Sequence, residues 1–158
     1  MSPDPLPSVQ ALLPAEGATA AGVFAVQDQA LAAGLLGDGW VAAAAAALVR
    51  PGPEMAPYLP WLPVSVLVAV SARSIHITDW HPQLGASREL ARFDRTRTAI
   101  TVEASGTARR LTLTETTSGY RLPLTATTSR FNAYSPGVRS VLADLAPTAT
   151  RPATATTG

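Results

Sequence analysis

The hydrophobic residues of this chain follow a helical period before residue 51 and a period of two after residue 63. Over residues 18–50 the apolar side chains recur at spacings of three, four and seven, as Val23 and Ala30 do, which predicts helix. Several glycines around residue 38 interrupt this pattern. We therefore expect an Ala-rich helical segment made of two helices, at about 19–36 and 40–49.

Six segments farther along the chain have the pattern of β-strands. Residues 64–70 form a run dense in β-branched residues, which is typical of a buried strand. Residues 73–80 alternate, with Ile75 and Ile77 on the face opposite His76. The other strands are predicted at 88–94, 98–104, 108–115 and 119–126.

The last predicted element is an amphipathic helix that begins near Ser135 and ends before Pro147. Ser135 is the expected cap, and Pro136 suits the first helical position. The apolar residues repeat at i, i+3, i+4 and i+7: Val138, Val141, Leu142 and Leu145. Such a helix is expected to close the open end of an antiparallel sheet. The predicted fold class is α+β, mainly β: an antiparallel β-sandwich or partial barrel of six to seven strands with a C-terminal capping helix.

Three Pro-rich or low-complexity segments divide the chain. Residues 1–17 contain four prolines and are expected to be a disordered tether. Residues 51–63 form a Pro-rich connector, and residues 147–158 form a Thr/Ala/Pro tail that should be disordered. The predicted domain therefore covers residues 64–146, preceded by the helical segment at 18–50.

The composition excludes several kinds of chemistry. The 158 residues contain no cysteine, so disulfides, thiolate zinc sites and cysteine nucleophiles are ruled out. Charged residues make up only 15% of the chain, and all 12 basic residues are arginine. Residues 1–63 hold one arginine and five acidic residues, a net charge of −4, whereas residues 64–158 carry +5. The two parts can neutralise each other, or the basic part can bind an anionic partner.

The N-terminal residues lack the basic region of a secretory signal, and the longest apolar run is too short to span a bilayer. These features predict a cytoplasmic protein, with peripheral attachment to the inner face of the membrane as the alternative.

The order of the predicted elements resembles that of pleckstrin-homology-like domains, in which successive antiparallel strands are followed by one C-terminal helix. Three segments also resemble uncharacterised actinobacterial proteins: Leu67-Val-Ala-Val-Ser71, Ile75-His-Ile-Thr-Asp-Trp80 and Phe93-Asp94-Arg95. The resemblance covers roughly residues 62–146, and residues 129–134 are the candidate for the seventh strand. It implies a non-enzymatic binding module of the bacterial cytoplasm.

An arginine cluster is the main candidate binding site. Arg guanidinium groups bind carboxylates and phosphates through two parallel hydrogen bonds. Neighbouring acids allow another interpretation, in which cross-strand charge pairs form an ordinary sheet surface. The predicted binding residues are Arg92, Arg95, Arg97, Arg109 and Arg110.

These arginines leave two main hypotheses for function. The first is a scaffold module that engages a protein partner through the Arg-rich face or a sheet edge. The second is peripheral association with anionic lipid headgroups through the same cluster. Nucleic acid is not an expected partner, because exposed aromatic residues do not accompany the arginines.

Aromatic residues around the connector form a second candidate surface. Trp40, Tyr58 and Trp61 either fasten the N-terminal helices to the β domain or form an exposed interface. The small side chains of residues 19–49 would also allow a homo-oligomer through close helix packing.

Catalysis has little support in the sequence. His81 and Asp79 adjoin, and a small hydrolase that uses them is the least favoured hypothesis. The strand residue His76 is interpreted as an exposed or hydrogen-bonded sheet residue, because His76, Asp79 and His81 lack the spacing of a metal site. No catalytic residue, metal or cofactor is predicted.

Overall fold

The computed structural model describes residues 4–26, 65–117, 119 and 121–150. These residues form a mainly β fold, as predicted, with a helix near each end: α1 (Leu6–Leu12) and α2 (Ser135–Leu145). Seven antiparallel strands make up the sheet: β1 (Ala20–Val26), β2 (Ser65–Val70), β3 (Ser74–Asp79), β4 (Glu89–Asp94), β5 (Thr98–Ser105), β6 (Ala108–Glu115) and β7 (Arg121–Thr127).

The sheet is open, with the strand order β4-β3-β2-β1-β7-β6-β5. β1 pairs with β2 from Ala20 to Ala25, but it meets β7 only at Ala25 and Val26. A short strand, β8 (Ala149–Thr150), pairs in parallel with β5. The six strands predicted after residue 63 and the C-terminal helix are confirmed.

The main core lies between the sheet and α2. Its fully buried side chains include Phe24 of β1, Ile77 of β3, Leu111 of β6 and Val141 of α2. α2 packs mainly on β1, and the two backbones meet where Gly22 faces Gly137. A Cβ atom on Gly137 would lie 2.5 Å from the carbonyl oxygen of Ala21.

A second hydrophobic cluster covers the opposite face of β1 and β2. Val9 of α1 packs there with Ala21, Leu67 and Ala69. Both faces of β1 and β2 are therefore buried, which explains why residues 66–70 are an unbroken apolar run rather than an alternating one.

The prediction of a helix over residues 19–36 is wrong for the part that the structure describes. Residues 20–26 form β1, in the middle of the sheet order. The sequence pattern suggested a helix because the side chains on both faces of this strand are apolar, which removes the period of two. The hydrogen-bond ladder with β2, more than 40 residues away in the chain, determines the strand.

Three predictions near the ends of the domain are corrected. The expected tether contains α1, whose Pro7 lies in the first turn, where proline is tolerated. Residues 129–134 contain no strand, and the seventh antiparallel strand is β1. The start of the expected disordered tail is a 3-10 turn, Ala146–Thr148, followed by β8.

Ser135 is the first residue of α2 rather than its cap. Its buried hydroxyl donates to the carbonyl oxygens of Thr127 and Ser129, at 3.0 and 2.6 Å. The hydroxyl therefore fixes the start of α2 against the end of β7.

Several predictions lie outside the described residues. They are the helix at 40–49, the connector at 51–63, residues 151–158 of the tail, and the aromatic residues Trp40, Tyr58 and Trp61. The homo-oligomer was predicted through helices over residues 19–49, but residues 20–26 of this segment belong to the sheet.

Candidate functional site

The arginines of the predicted cluster lie on distant parts of the sheet. Arg97 precedes β5, whereas Arg109 lies opposite Ala104 near the other end of that strand. Six residues of extended chain separate the two positions by roughly 20 Å. Arg92 lies on β4, at the far edge of the sheet order. The five arginines therefore do not form one face.

Two of these arginines bond internal carbonyl groups. The guanidinium of Arg95 donates to the carbonyl oxygens of Ser71 and Asp144, at 3.0 and 3.2 Å, and so joins the β2–β3 turn to the end of α2. Arg109 donates to the carbonyl oxygens of Gly106 and Ala108, which stiffens the β5–β6 turn. Arg95 is therefore a structural residue, while Arg109 is held at an exposed turn.

His76 is the centre of a polar cluster that the sequence did not predict. Its ring is fully buried, and Nδ1 donates to Glu89 Oε2 at 2.6 Å. Nε2 lies 3.0 Å from Ser71 Oγ and 3.9 Å from Glu16 Oε2. Of the two alternatives predicted for His76, the structure confirms a hydrogen-bonded sheet residue and not an exposed one, and its acidic neighbours come from distant parts of the chain.

Arg92 covers this cluster from the solvent side. Its guanidinium contacts Glu16 at 2.9 Å and Glu89 at 2.9 Å. The hydrogen bonds to Glu89 raise the pKa of Arg92 above its usual value, against the opposing effect of burial, and Glu16 adds to the rise. Glu16, in the acidic N-terminal part of the chain, thus neutralises one arginine of the basic part.

A β-bulge places Glu89 on the His76 face of the sheet. Ile77 pairs with Ala91, but Thr78 pairs with Glu89, so Leu90 is an extra residue in β4. Regular alternation would put Glu89 on the same face as Ala91, toward the core. Since the extra residue reverses this orientation, the His76–Glu89 contact depends on the bulge.

The contacts of Ser71, His76 and Glu89 follow the order of a nucleophile, base and acid in acyl transfer. However, Ser71 is only 2% exposed, and its oxygen also bonds the backbone N–H and carbonyl of Ser74. A substrate carbonyl cannot reach this oxygen in the observed conformation. The cluster instead ties the N-terminal segment to β3 and β4.

The predicted acid–base pair, Asp79 and His81, stabilises the loop between β3 and β4. Asp79 accepts hydrogen bonds from the backbone and hydroxyl of Ser87 and from the backbone N–H of Arg88. His81 Nδ1 accepts from the backbone N–H groups of Gln83 and Leu84, at 3.2 and 3.3 Å. The contacts observed for both side chains are therefore local.

Replacing Asp79 with Asn should destabilise this loop in a pH-dependent way. Desolvation raises the pKa of Asp79, but hydrogen bonds from Ser87 and Arg88 outweigh it, so the pKa lies below its ordinary value of 3.8. A lowered pKa contributes stability that is present above pH 3.8 and disappears as the pH falls through the folded-state pKa. Thermal unfolding should show that the variant melts at a lower temperature than the wild type at neutral pH, and that this difference shrinks at acid pH. A difference in melting temperature that does not change with pH would contradict this explanation.

Two segments that are separated in the sequence form a basic region in the fold. Residues 103–110 and 128–139, here called the basic end, hold four arginines and one acid, Glu103. The backbone N–H and hydroxyl of Thr128 donate to the carbonyl of Thr107, and Arg139 donates to the carbonyl of Thr128. These hydrogen bonds place the start of β6, where Arg109 and Arg110 point to opposite faces of the sheet, beside the segment that carries two arginines that were not predicted, Arg130 and Arg139.

Phe131 projects from the basic end. It is 87% exposed, the most exposed large hydrophobic side chain among the described residues. The guanidinium carbon of Arg130 lies 5.1 Å from its ring centroid, within cation–π range. In the sequence, this part of the basic end is visible only as the adjacent pair Arg130-Phe131. Its position in the fold depends on contacts between segments that are remote in the chain.

A cavity of about 370 Å³ lies between α1 and α2. Its walls are mainly small or apolar residues, such as Leu6, Ala20 and Gly137. Its polar side chains are Asp4 and Ser140, so the cavity is less suited to an anionic ligand than the basic end.

Comparisons of the chain with family models, curated proteins and solved structures gave no match. In the part of the chain that the structure describes, neither helix has the length and apolar character needed to cross a membrane.

Proposed function

We propose that this chain is a non-enzymatic binding module that engages an acidic surface of a protein partner through its basic end. The observation that carries the proposal is the exposed Phe131, whose ring lies under the guanidinium of Arg130. Aromatic and arginine side chains dominate the energetic centres of protein interfaces. An exposed ring of this size also gains from burial by a partner.

The charges of the basic end favour an acidic partner. Its net charge is +3, from Arg109, Arg110, Arg130 and Arg139 against Glu103. Arg110 lies 3.7 Å from Glu103, which leaves three arginines without an acidic contact among the described residues. Guanidinium groups can bind the carboxylates of a partner through paired hydrogen bonds.

Two further observations support a non-enzymatic module. The only Ser–His–Glu arrangement among the described residues is buried, and the side chains of Asp79 and His81 bond their own loop. The succession of antiparallel strands and one C-terminal helix also supports the proposal that the domain is pleckstrin-homology-like.

The test compares two double variants as baits for partners in lysate of the source organism. Arg130→Glu with Phe131→Ser removes the centre of the basic end. The control, Arg121→Glu with Leu84→Ser, changes an arginine and a large apolar residue at exposed positions elsewhere. We expect the control to keep the partner and the first variant to bind it at least ~30-fold more weakly, since the loss of an interface hot spot costs about 2 kcal/mol or more.

The outcomes of this test distinguish a protein partner from a membrane surface. Equal capture of the partner by both double variants would refute the role of the basic end. Binding to vesicles of anionic phospholipid that weakens with salt and is lost in Arg130→Glu with Phe131→Ser would instead assign the surface to lipid headgroups.

A further inference from the structure

The two adjacent arginines of β6 face opposite sides of the sheet. Leu111 and Leu113 are fully buried in the main core, which lies between the sheet and α2. Because side chains alternate along a strand, Arg109 points to the same side as these leucines and Arg110 points to the other side. Only Arg109 therefore shares a side of the sheet with α2.

The acid of the basic end lies on the side away from α2. Val102 packs against the main core, so the next residue, Glu103, points away from it. Glu103 is the cross-strand neighbour of Arg110, and the two side chains approach to 3.7 Å. This acid therefore offsets the charge of Arg110 and leaves the arginines of the α2 side without an acidic residue in the basic end.

The segment between β7 and α2 carries the other arginines toward the α2 side. It begins at Thr128, which is hydrogen-bonded to the β5–β6 turn, and it ends where α2 begins. Arg130 and Phe131 lie in this segment, and Arg139 of α2 donates to the carbonyl oxygen of Thr128 at 3.0 Å. The net charge of +3 at the basic end thus comes from the arginines on the α2 side: Arg109, Arg130 and Arg139.

Arg109 is ordered in a way that suits it to bind a carboxylate. Its Nη1 donates to the carbonyl oxygens of Gly106 and Ala108, at 2.7 and 2.9 Å. Nη2 and Nε have no hydrogen-bond partner among the described residues, and the cross-strand neighbours, Ala104 and Ala126, are small. A carboxylate can therefore bind Nη2 and Nε as a pair, with little further loss of side-chain entropy.

One short segment of a partner can reach both Arg109 and Phe131. Thr128 is hydrogen-bonded to Thr107. Phe131 follows Thr128 by three residues and Arg109 follows Thr107 by two, and each residue spans at most about 3.6 Å. The α-carbons of Arg109 and Phe131 therefore lie within roughly 25 Å of each other, a distance that about eight extended residues cover.

We propose that the partner docks on the α2 side of the basic end with a segment that combines carboxylates and apolar side chains. Arg109 binds a carboxylate of this segment, and Phe131, which is 87% exposed, packs against an apolar side chain. Arg110 makes no contact with the segment, because it faces away and pairs with Glu103. This inference rests on the proposed function, because it names the chemistry of the partner and the side on which it binds.

The experiment measures by calorimetry the binding of synthetic octapeptides to the full chain. The first peptide alternates Glu and Val. The second alternates Gln and Val, which removes the charge, and the third alternates Glu and Ser, which removes the apolar side chains. Arg109→Gln removes the proposed contact. Arg110→Gln is the matched control, because it removes the same charge from the adjacent residue, and circular dichroism verifies that both variants are folded.

We expect the Glu-Val peptide to bind the wild type and Arg110→Gln almost equally. It should bind Arg109→Gln about tenfold more weakly, as expected for a lost hydrogen bond between charged groups. The Gln-Val and Glu-Ser peptides should both bind the wild type more weakly than the Glu-Val peptide does, because each lacks one of the two kinds of contact.

A second pair of variants tests Arg109 without removing its hydrogen bonds to the β5–β6 turn. Ala104→Glu places an acid opposite Arg109, as Glu103 lies opposite Arg110. Thr125→Glu adds the same charge opposite Arg110, on the other side of the sheet. We expect Ala104→Glu to weaken binding of the Glu-Val peptide clearly more than Thr125→Glu does.

The outcomes distinguish failure of this inference from failure of the proposed function. Equal losses in Arg109→Gln and Arg110→Gln, or equal binding of the Glu-Val and Glu-Ser peptides, would overturn the inference. If binding of the Glu-Val peptide still fell in Arg130→Glu with Phe131→Ser, the proposed function would stand. Failure of the wild type to bind the Glu-Val peptide would also overturn the inference, and binding only to anionic vesicles would overturn both proposals.

Discussion

Replacing Glu89 with Ala should lower the free energy of unfolding by about 3 kcal/mol, the expected cost of leaving a buried partner without its hydrogen bond and charge. His76 is fully buried, and its Nδ1 donates to Glu89 at 2.6 Å. Without Glu89, the ring keeps its contact with Ser71 but loses the acceptor for Nδ1. Urea unfolding measures the effect.

Arg92→Ala is the matched control for this prediction. The Arg92 side chain is 43% exposed and contacts the same carboxylate, so its loss should cost about 1 kcal/mol or less. A double-mutant cycle with His76→Phe isolates the His76–Glu89 contact. If Glu89→Ala costs no more than Arg92→Ala, or costs the same in the His76→Phe background, the buried His76–Glu89 contact does not stabilise the fold as described.

Replacing Gly137 with Ala should destabilise the fold by about 3 kcal/mol, at the upper end of the usual cost of overpacking. In an ordinary helix, this substitution would stabilise by up to about 1 kcal/mol, because glycine is a poor helix former. Here the added Cβ would lie 2.5 Å from the carbonyl oxygen of Ala21, so either α2 or β1 must move. The expected sign is therefore the reverse of that predicted by helix propensity.

Gly22→Ala tests the same contact from the sheet side. Its Cβ would lie 2.8 Å from the backbone of Gly137 and Val138. Ser140→Ala, at an exposed position of α2, is the control and should leave stability almost unchanged. Urea unfolding that shows Gly137→Ala to be as stable as the wild type would contradict the close packing of α2 on β1.

The sequence predicts elements well where one period dominates. Most strands from residue 73 to residue 127 alternate, β2 is a dense run of β-branched residues, α2 has a clear apolar stripe, and the structure contains all of them. β1 escaped detection because α1 covers one of its faces and α2 the other. Its apolar side chains then resemble those of a buried helix.

The candidate sites depend on contacts that no local pattern contains. Glu89 faces His76 because of one extra residue in β4, and Glu16 comes from the segment before β1. The basic end likewise depends on a hydrogen bond from the backbone N–H of Thr128, which follows β7, to the carbonyl of Thr107, in the turn between β5 and β6. The residue types were visible in the sequence, but their positions required the register of the sheet.

Amide chemical-shift mapping of the folded chain, with an octapeptide of alternating Glu and Val as an acidic probe, tests directly whether the basic end is the binding site for an acidic partner. We expect the shifts to fall on residues 102–110 and 128–134, with the largest near Phe131, and we expect salt to weaken them. Shifts centred on β4 or on the cavity between α1 and α2, or no shifts at all, would contradict the claim that the basic end is the binding site.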